Sequence, residues 1–221
     1  MVRVLLVVVV LCGVARADDA ADRDAILAAA PTCVAGRAHC FGIRLHVPRG
    51  EDGAAIADPA WFAAQLALAN KLFAPIDASF QVQEVEFRDA SLARIDDREE
   101  RTSLAQHIRG RVIDVFLTGY LVDIDTPETF AYGVTWHTKR GKLLIVSTMS
   151  FERTLAHELG HLFGLKHSKY PESIMNKAPR ELPPPEERRF ADPEIKKMRV
   201  TMKRLLRDKV IANVRSRAAG T

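Results

Sequence analysis

Cysteine is scarce in this chain, three in 221 residues, which excludes a small scaffold built on disulfides. Aromatic residues make up only 7%. Beyond the first seventeen residues no run is apolar and long enough to cross a bilayer. Strong charge of one sign is also missing. Lys and Arg number 32 against 28 Asp and Glu, a formal +4. So small an excess makes no electrostatic case for nucleic acid, and no nucleic-acid motif accompanies it. Internal repeats and Asn-x-Ser/Thr acceptors are absent as well. What is there is 48% hydrophobic and 27% charged, the composition of one ordinary globular domain or at most two small ones.

The first seventeen residues stand apart. Met1-Val2-Arg3 supplies a positive start, Val4 to Val14 is apolar or glycine throughout, and Ala15-Arg16-Ala17 offers a small-x-small cleavage site. That three-part order is the layout of a secretory signal peptide, so residues 1–17 read as one, and the mature chain is expected to be secreted or periplasmic. Cleavage removes Cys12 and leaves Cys33 and Cys40, which outside the cytosol are expected to pair as a disulfide. Residues 18–40, rich in Ala and Asp, read as a lead-in, and 41–221 as the functional domain.

Periodicity divides that domain. Phe41 to Val47 alternates as a strand, Pro59 to Phe73 has helical spacing, and Phe80 to Phe87 alternates with a slip of register at Gln83-Glu84 that a bulge would explain. Arg88 to Glu100 is charged and poorly periodic, and Thr102 to Ile108 reads as a short helix. Arg111 to Leu117 reads as a central apolar strand. Phe130 to His137 and Lys142 to Thr148 read as two strands joined by a Lys-Arg-Gly turn. A helix over 151–163 follows, with Ser150 expected as its N-cap. Then come a proline-rich connection over 171–193 and an amphipathic helix over 193–217.

Chemistry concentrates in His157-Glu158-Leu159-Gly160-His161-Leu162-Phe163-Gly164-Leu165-Lys166-His167, which fits HExxHxxGxxH at all five fixed positions. Histidines four apart project from one helix face and can share a Zn²⁺. Gly164 can take a left-handed backbone and stop the helix, so that His167 turns back as a third ligand. Three protein ligands leave a fourth position open, the arrangement of a catalytic rather than a structural zinc. Glu158 is not expected to bind metal. Its carboxylate can take a proton from a zinc-activated water and pass it to the departing amine, as general base and then general acid. Taken singly, His39, His46, His107 and His137 read as ordinary core or surface residues.

This segment resembles the metzincin clan of zinc metalloproteases, which couples the motif to a downstream Met-turn. Met175 in Ser173-Ile174-Met175-Asn176 stands eight residues after His167, and the stretch from His167 to Met175 is most similar to the matrixin branch. The resemblance implies an α+β fold: a twisted mixed β-sheet with an antiparallel edge strand, a zinc-binding active-site helix, a Met-turn with Met175 as an apolar floor, and a C-terminal helix. It makes 130–137 the candidate edge strand, able to pair with an extended substrate, with Tyr132 and Trp136 either lining the cleft or simply packing. Departures accompany it. Only residues 18–40 precede the domain where matrixins carry a long pro-domain. Pro31-Thr32-Cys33 is a faint echo of a cysteine switch, and the nearby Cys40 argues for a disulfide instead. No His- and Asp-rich loop for further ions is seen, and Lys177 stands where astacin-like and serralysin-like branches have tyrosine.

From Lys196 to Arg217 nine basic residues face one acid, Asp208. The plainer reading is a helix that packs its apolar stripe and solvates its charges; the sharper one is a weak contact with an anionic surface. Taken together, the sequence reads as a secreted zinc metalloendopeptidase acting on protein or peptide substrates, with one catalytic Zn²⁺ held by His157, His161 and His167 and with Glu158 as base and acid. No nucleic acid and no transmembrane segment are expected. The alternatives are a metzincin-fold binding protein that holds zinc without cleaving, and a narrow peptidase of short peptides.

Overall fold

The computed structural model describes residues 15–177 and 181–215. Of the expected leader, residues 1–17, the first fourteen lie outside the described residues, as does the end of the expected last helix at 216–217. Seven strands and five α-helices are described: α1 Ala15–Ala29, β1 His39–Pro48, α2 Pro59–Leu72, β2 Ala78–Arg88, β3 Arg94–Ile95, α3 Arg98–Ser103, β4 Ile113–Thr118, β5 Tyr120–Leu121, β6 Gly133–Thr138, β7 Gly141–Ser147, α4 Thr154–Leu162 and α5 Asp192–Arg207. Five strands form one sheet in the order β2-β1-β4-β7-β6. Its pairs are parallel except β6 with β7, which is antiparallel and places β6 at an edge. This is the mixed sheet with an antiparallel edge that the resemblance implied.

The central strands lie between two covered faces, which is why they read as unbroken apolar runs. Odd-numbered side chains of β1 and β4 (Ile43, Leu45, Val115, Leu117) join Leu66, Phe73, Leu159, Phe163 and Met198 in the main core under α2, α4 and α5. The opposite face holds a smaller cluster of Ile95, Leu104, Phe116, Leu121, Leu143 and Ile145. Beside it lies a buried polar group in which Asp114 accepts from Arg44 and meets His46 Nε2, each at 2.9 Å. His46 is fully buried, so of the core and surface readings it takes the core one, and burial pushes its pKa down although Asp114 opposes the shift. The slip of register in β2 is a bulge: Ile43 faces Val82 and Arg44 faces Glu84, leaving Gln83 as the extra residue.

Several boundaries differ from the sequence reading. The lead-in holds much of a helix: α1 lies on α2 and β2, and Arg49 pairs with Asp19 and Asp22. The expected helix over 102–108 begins earlier, as α3, and finishes as a 3-10 turn at Leu104–His107. The Asp97 side chain caps its start by accepting from Glu99 and Glu100 N–H. The edge strand begins at Gly133 rather than Phe130, because Phe130 pairs with Val122 in an isolated bridge. Helix α5 stops at Arg207, short of the expected 217, where Lys209 takes a left-handed φ of 56°. The chain then returns to β1, where Cys40 N–H donates to Asn213 Oδ1 at 3.1 Å and Val214 N–H to the Cys40 carbonyl at 2.8 Å. Cys33 and Cys40 form the expected disulfide, so Cys33 has no free thiol.

Candidate metal centre and active site

Helix α4 carries the motif, and its start differs from the sequence reading. Ser150 does not cap it. The helix begins at Thr154 after a turn closed by Thr154 N–H to the Phe151 carbonyl at 2.9 Å. The cap comes from another helix: Gln65 of α2, fully buried, accepts from Leu155 N–H at 2.9 Å and donates to Ser150 Oγ at 3.1 Å. An orphan donor of the first turn is thereby satisfied across the core. At the other end Gly164 adopts φ +89° and Leu165 N–H returns to the Gly160 carbonyl at 3.0 Å, the left-handed stop the motif predicts.

That stop brings His167 to the other two histidines. Ring centroids are 4.7 Å apart for His157 and His161, 5.5 Å for His157 and His167, and 4.9 Å for His161 and His167. One nitrogen from each lies within 4.8 Å of the others. The tautomers follow from backbone acceptors. His157 Nδ1 lies 2.8 Å from the Ile174 carbonyl and His161 Nδ1 lies 3.0 Å from the Leu165 carbonyl. A carbonyl only accepts, so each Nδ1 carries the proton and each Nε2 presents a bare lone pair. Burial pushes His157 down to about 4 and lowers His161 too, so both rings are neutral near pH 7. Burial likewise lowers the exposed His167, with Lys177 adding to it. Two lone pairs therefore face each other with the Nε2 atoms 3.1 Å apart. That contact is repulsive alone and favourable with a cation between the nitrogens. The donor set fits Zn²⁺, which takes imidazole nitrogens at about 2.0–2.1 Å.

Glu158, next to His157 in the chain, reaches the edge strand. It is 4% exposed, and burial pushes its carboxyl up to about 8 against the pull of Thr135. Thr135 Oγ1 on β6 lies 2.9 Å from Glu158 Oε2 and 2.8 Å from the Glu158 carbonyl, tying the carboxylate to the strand. Gly133, two residues earlier, comes so close that a Cβ there would sit 3.0 Å from Glu158 Cγ and Oε1.

Met175 is fully buried beneath α4. A Cβ at Gly160 would stand 2.5 Å from its sulfur and 3.1 Å from the Phe190 ring, so the glycine inside the motif makes room for the methionine. The turn is held from α5. Ser173 Oγ accepts from Met175 N–H at 2.9 Å and donates to the Glu194 carboxylate at 2.8 Å, which in turn accepts from Ala191 N–H at 2.8 Å. Thr135, Gln65 and Glu194 support the site and were missed in the sequence, where no motif or spacing distinguishes them; Ser173 stood in the Met-turn stretch without a role. Trp136 packs on the other face of the sheet, its Nε1 donating to Thr102 Oγ1 at 3.1 Å, and does not line the cleft.

A family model described as matrixin matches residues 77–194, more than half of the chain. Among solved structures the chain is similar to archaemetzincin from Methanopyrus kandleri, at 16% identity and a TM-score of 0.51, over 77% of this chain and 99% of that one. It is also similar to a zinc-dependent peptidase from Methanocorpusculum labreanum (17%, 0.41, 71% and 100%). Metalloproteinase-II from Bacteroides fragilis is a third such structure (16%, 0.48, 77% and 55%). No curated protein matches the chain. At these identities the structural likeness concerns the fold, and of the three only the first has a score that supports even that.

Proposed function

The chain belongs to the matrixin family of zinc metallopeptidases, and from that premise we propose that it is an endopeptidase acting on proteins outside the cytoplasm, with Glu158 as its general base and acid. The observation that carries this reading is the pair of proton-free Nε2 atoms on His157 and His161, 3.1 Å apart with His167 beside them. These three residues would hold one zinc ion. Bound there, zinc supplies Lewis acidity, lowering the pKa of a water and polarising a carbonyl.

The chain's own residues supply the rest. The Ile174 and Leu165 carbonyls fix two imidazoles in the ligand tautomer. Thr135 holds the Glu158 carboxyl in one orientation; ionised, as a neighbouring cation would favour, it takes a proton off the attacking water and delivers it to the leaving amine. The edge of β6 not paired with β7 offers backbone groups to an extended substrate. Location outside the cytoplasm is supported by the Cys33–Cys40 pair, since disulfides persist in oxidising compartments, and by the leader-like residues 1–17.

Casein digestion by the purified chain, with and without a zinc chelator and beside Glu158→Ala, tests the proposal. Cleavage is expected to be chelator-sensitive and to fall at least about 10³-fold in the variant, which retains its zinc. An active Glu158→Ala chain would remove Glu158 from the mechanism, and a zinc-loaded chain with no activity would favour a zinc-holding binding protein.

A further inference from the structure

Nine large apolar side chains are exposed among the described residues, and three of them sit on the two segments that enter the site. Tyr132, 38% exposed, immediately precedes Gly133 of β6. Met149 and Phe151, 51% and 58% exposed, lie in the turn that leads into α4. The rings form a row: Tyr132 is 4.7 Å from Phe151 and 5.1 Å from Phe130, which is 5.9 Å from Tyr120. Tyr132, an inner member of the row, therefore directly precedes the glycine packed on Glu158.

We infer that this aromatic row is a substrate subsite, selecting a large apolar or aromatic side chain two to four residues from the bond that is cut. The inference rests on the peptidase reading and deepens it. A strand rises about 3.3 Å per residue, so a peptide paired on the free edge of β6 with its scissile bond near Glu158 lays its second to fourth residues along Tyr132 and Phe130. Internal packing does not account for the row, since its contacts leave more than half of Phe151 in water. A second copy of the chain does not fit it either. Three side chains with these exposures present on the order of 300 Å², well under the roughly 800 Å² per partner of a stable interface. That area suits one or two side chains of a bound peptide.

The test uses peptides built around bonds that the enzyme cuts in casein, with Phe or Ala at two, three and four residues from the cut, on either side. Wild type is compared with Phe151→Ser and Tyr132→Ser. At one of these positions Phe is expected to raise kcat/KM about tenfold in wild type, as the area of one covered ring implies, and less than twofold in Phe151→Ser. Matching circular dichroism spectra and zinc content in both show the variant folded. In parallel, fluorescence anisotropy measures binding of the same peptides to Glu158→Ala and to Glu158→Ala/Phe151→Ser, with the same preference expected in the first and lost in the second. A Phe preference that survives both ring substitutions, no preference at any position, or a dimer that Phe151→Ser dissociates overturns the subsite. Should hydrolysis be absent, the binding arm uses alanine-rich peptides with one Phe moved through each position; a Phe preference that depends on Phe151 then means that the peptidase reading fails while the aromatic row still binds peptide side chains.

Discussion

At Glu158 burial and ionisation oppose each other. The carboxyl is 4% exposed and its pKa rises from 4.5 to about 8. A carboxyl raised in this way takes up a proton on folding between those two values, so its contribution to stability falls as pH rises through the window and is flat above it. In the zinc-free chain at pH 8 the cost is on the order of 4 kcal/mol. Urea unfolding of zinc-free Glu158→Gln should accordingly show a gain over the parent of that order at pH 8 and almost none at pH 4. Equal stabilities at pH 8 would mean that water reaches the carboxylate. Thr135 acts on the same atom. Thr135→Val keeps the shape and removes the hydroxyl, so kcat is expected to fall about tenfold with KM and zinc content unchanged, and Thr135→Ser to restore it; a KM effect instead would assign Thr135 to substrate binding. None of this was readable in advance for Thr135, one polar residue in an alternating strand. The grouping of His157, His161 and His167 was readable, because residues four apart share a helix face and Gly164 turns the chain back.

At the scale of elements, the strands were legible where a single period ran unbroken, as in β1 and β4, and even the bulge at Gln83 showed as a slip of alternation. Helix starts were less so. Ser150 has the chemistry of an N-cap, yet the first turn of α4 is capped by Gln65 from 85 residues earlier in the chain than its hydroxyl partner. Removing that cap leaves the Leu155 N–H and the Ser150 hydroxyl buried without their partner. Gln65→Leu should therefore lower stability by about 2–3 kcal/mol, measured by denaturant titration of the zinc-loaded chain. A loss under about 0.5 kcal/mol would show that the zinc helix does not depend on α2 for its cap. The tail helix follows the same lesson. Its apolar stripe was visible, but its end at Arg207 is decided by the return of Asn213 to β1.

The whole molecule is closed by contacts between its ends. Cys33 ties the segment after α1 to Cys40 in β1, and Arg215 near the C-terminus donates to the Arg37 and Val34 carbonyls within the same loop. A loop this short loses about 2–3 kcal/mol of closure entropy from the unfolded state. The Cys33→Ser/Cys40→Ser chain should be less stable by about that amount, with casein cleavage at 25 °C retained. If cleavage disappears while the chain stays folded, the N-terminal clamp shapes the site and does more than stabilise it.

The sequence by itself determined the meeting of His157, His161 and His167 and the stop at Gly164, because these residues lie within a few helical turns of one another and local geometry converts such spacing into position; the resemblance to a known family added the Met-turn. Tertiary structure alone decided which residues support them. Gln65 reaches α4 across the core, Thr135 reaches Glu158 from the edge strand, and Glu194 steadies the turn under the histidines from the last helix. Those partners meet only after the sheet has ordered its strands as β2-β1-β4-β7-β6. A polar side chain at long range carries no periodicity that announces its partner, and burial makes the resulting hydrogen bond obligatory only once the fold exists.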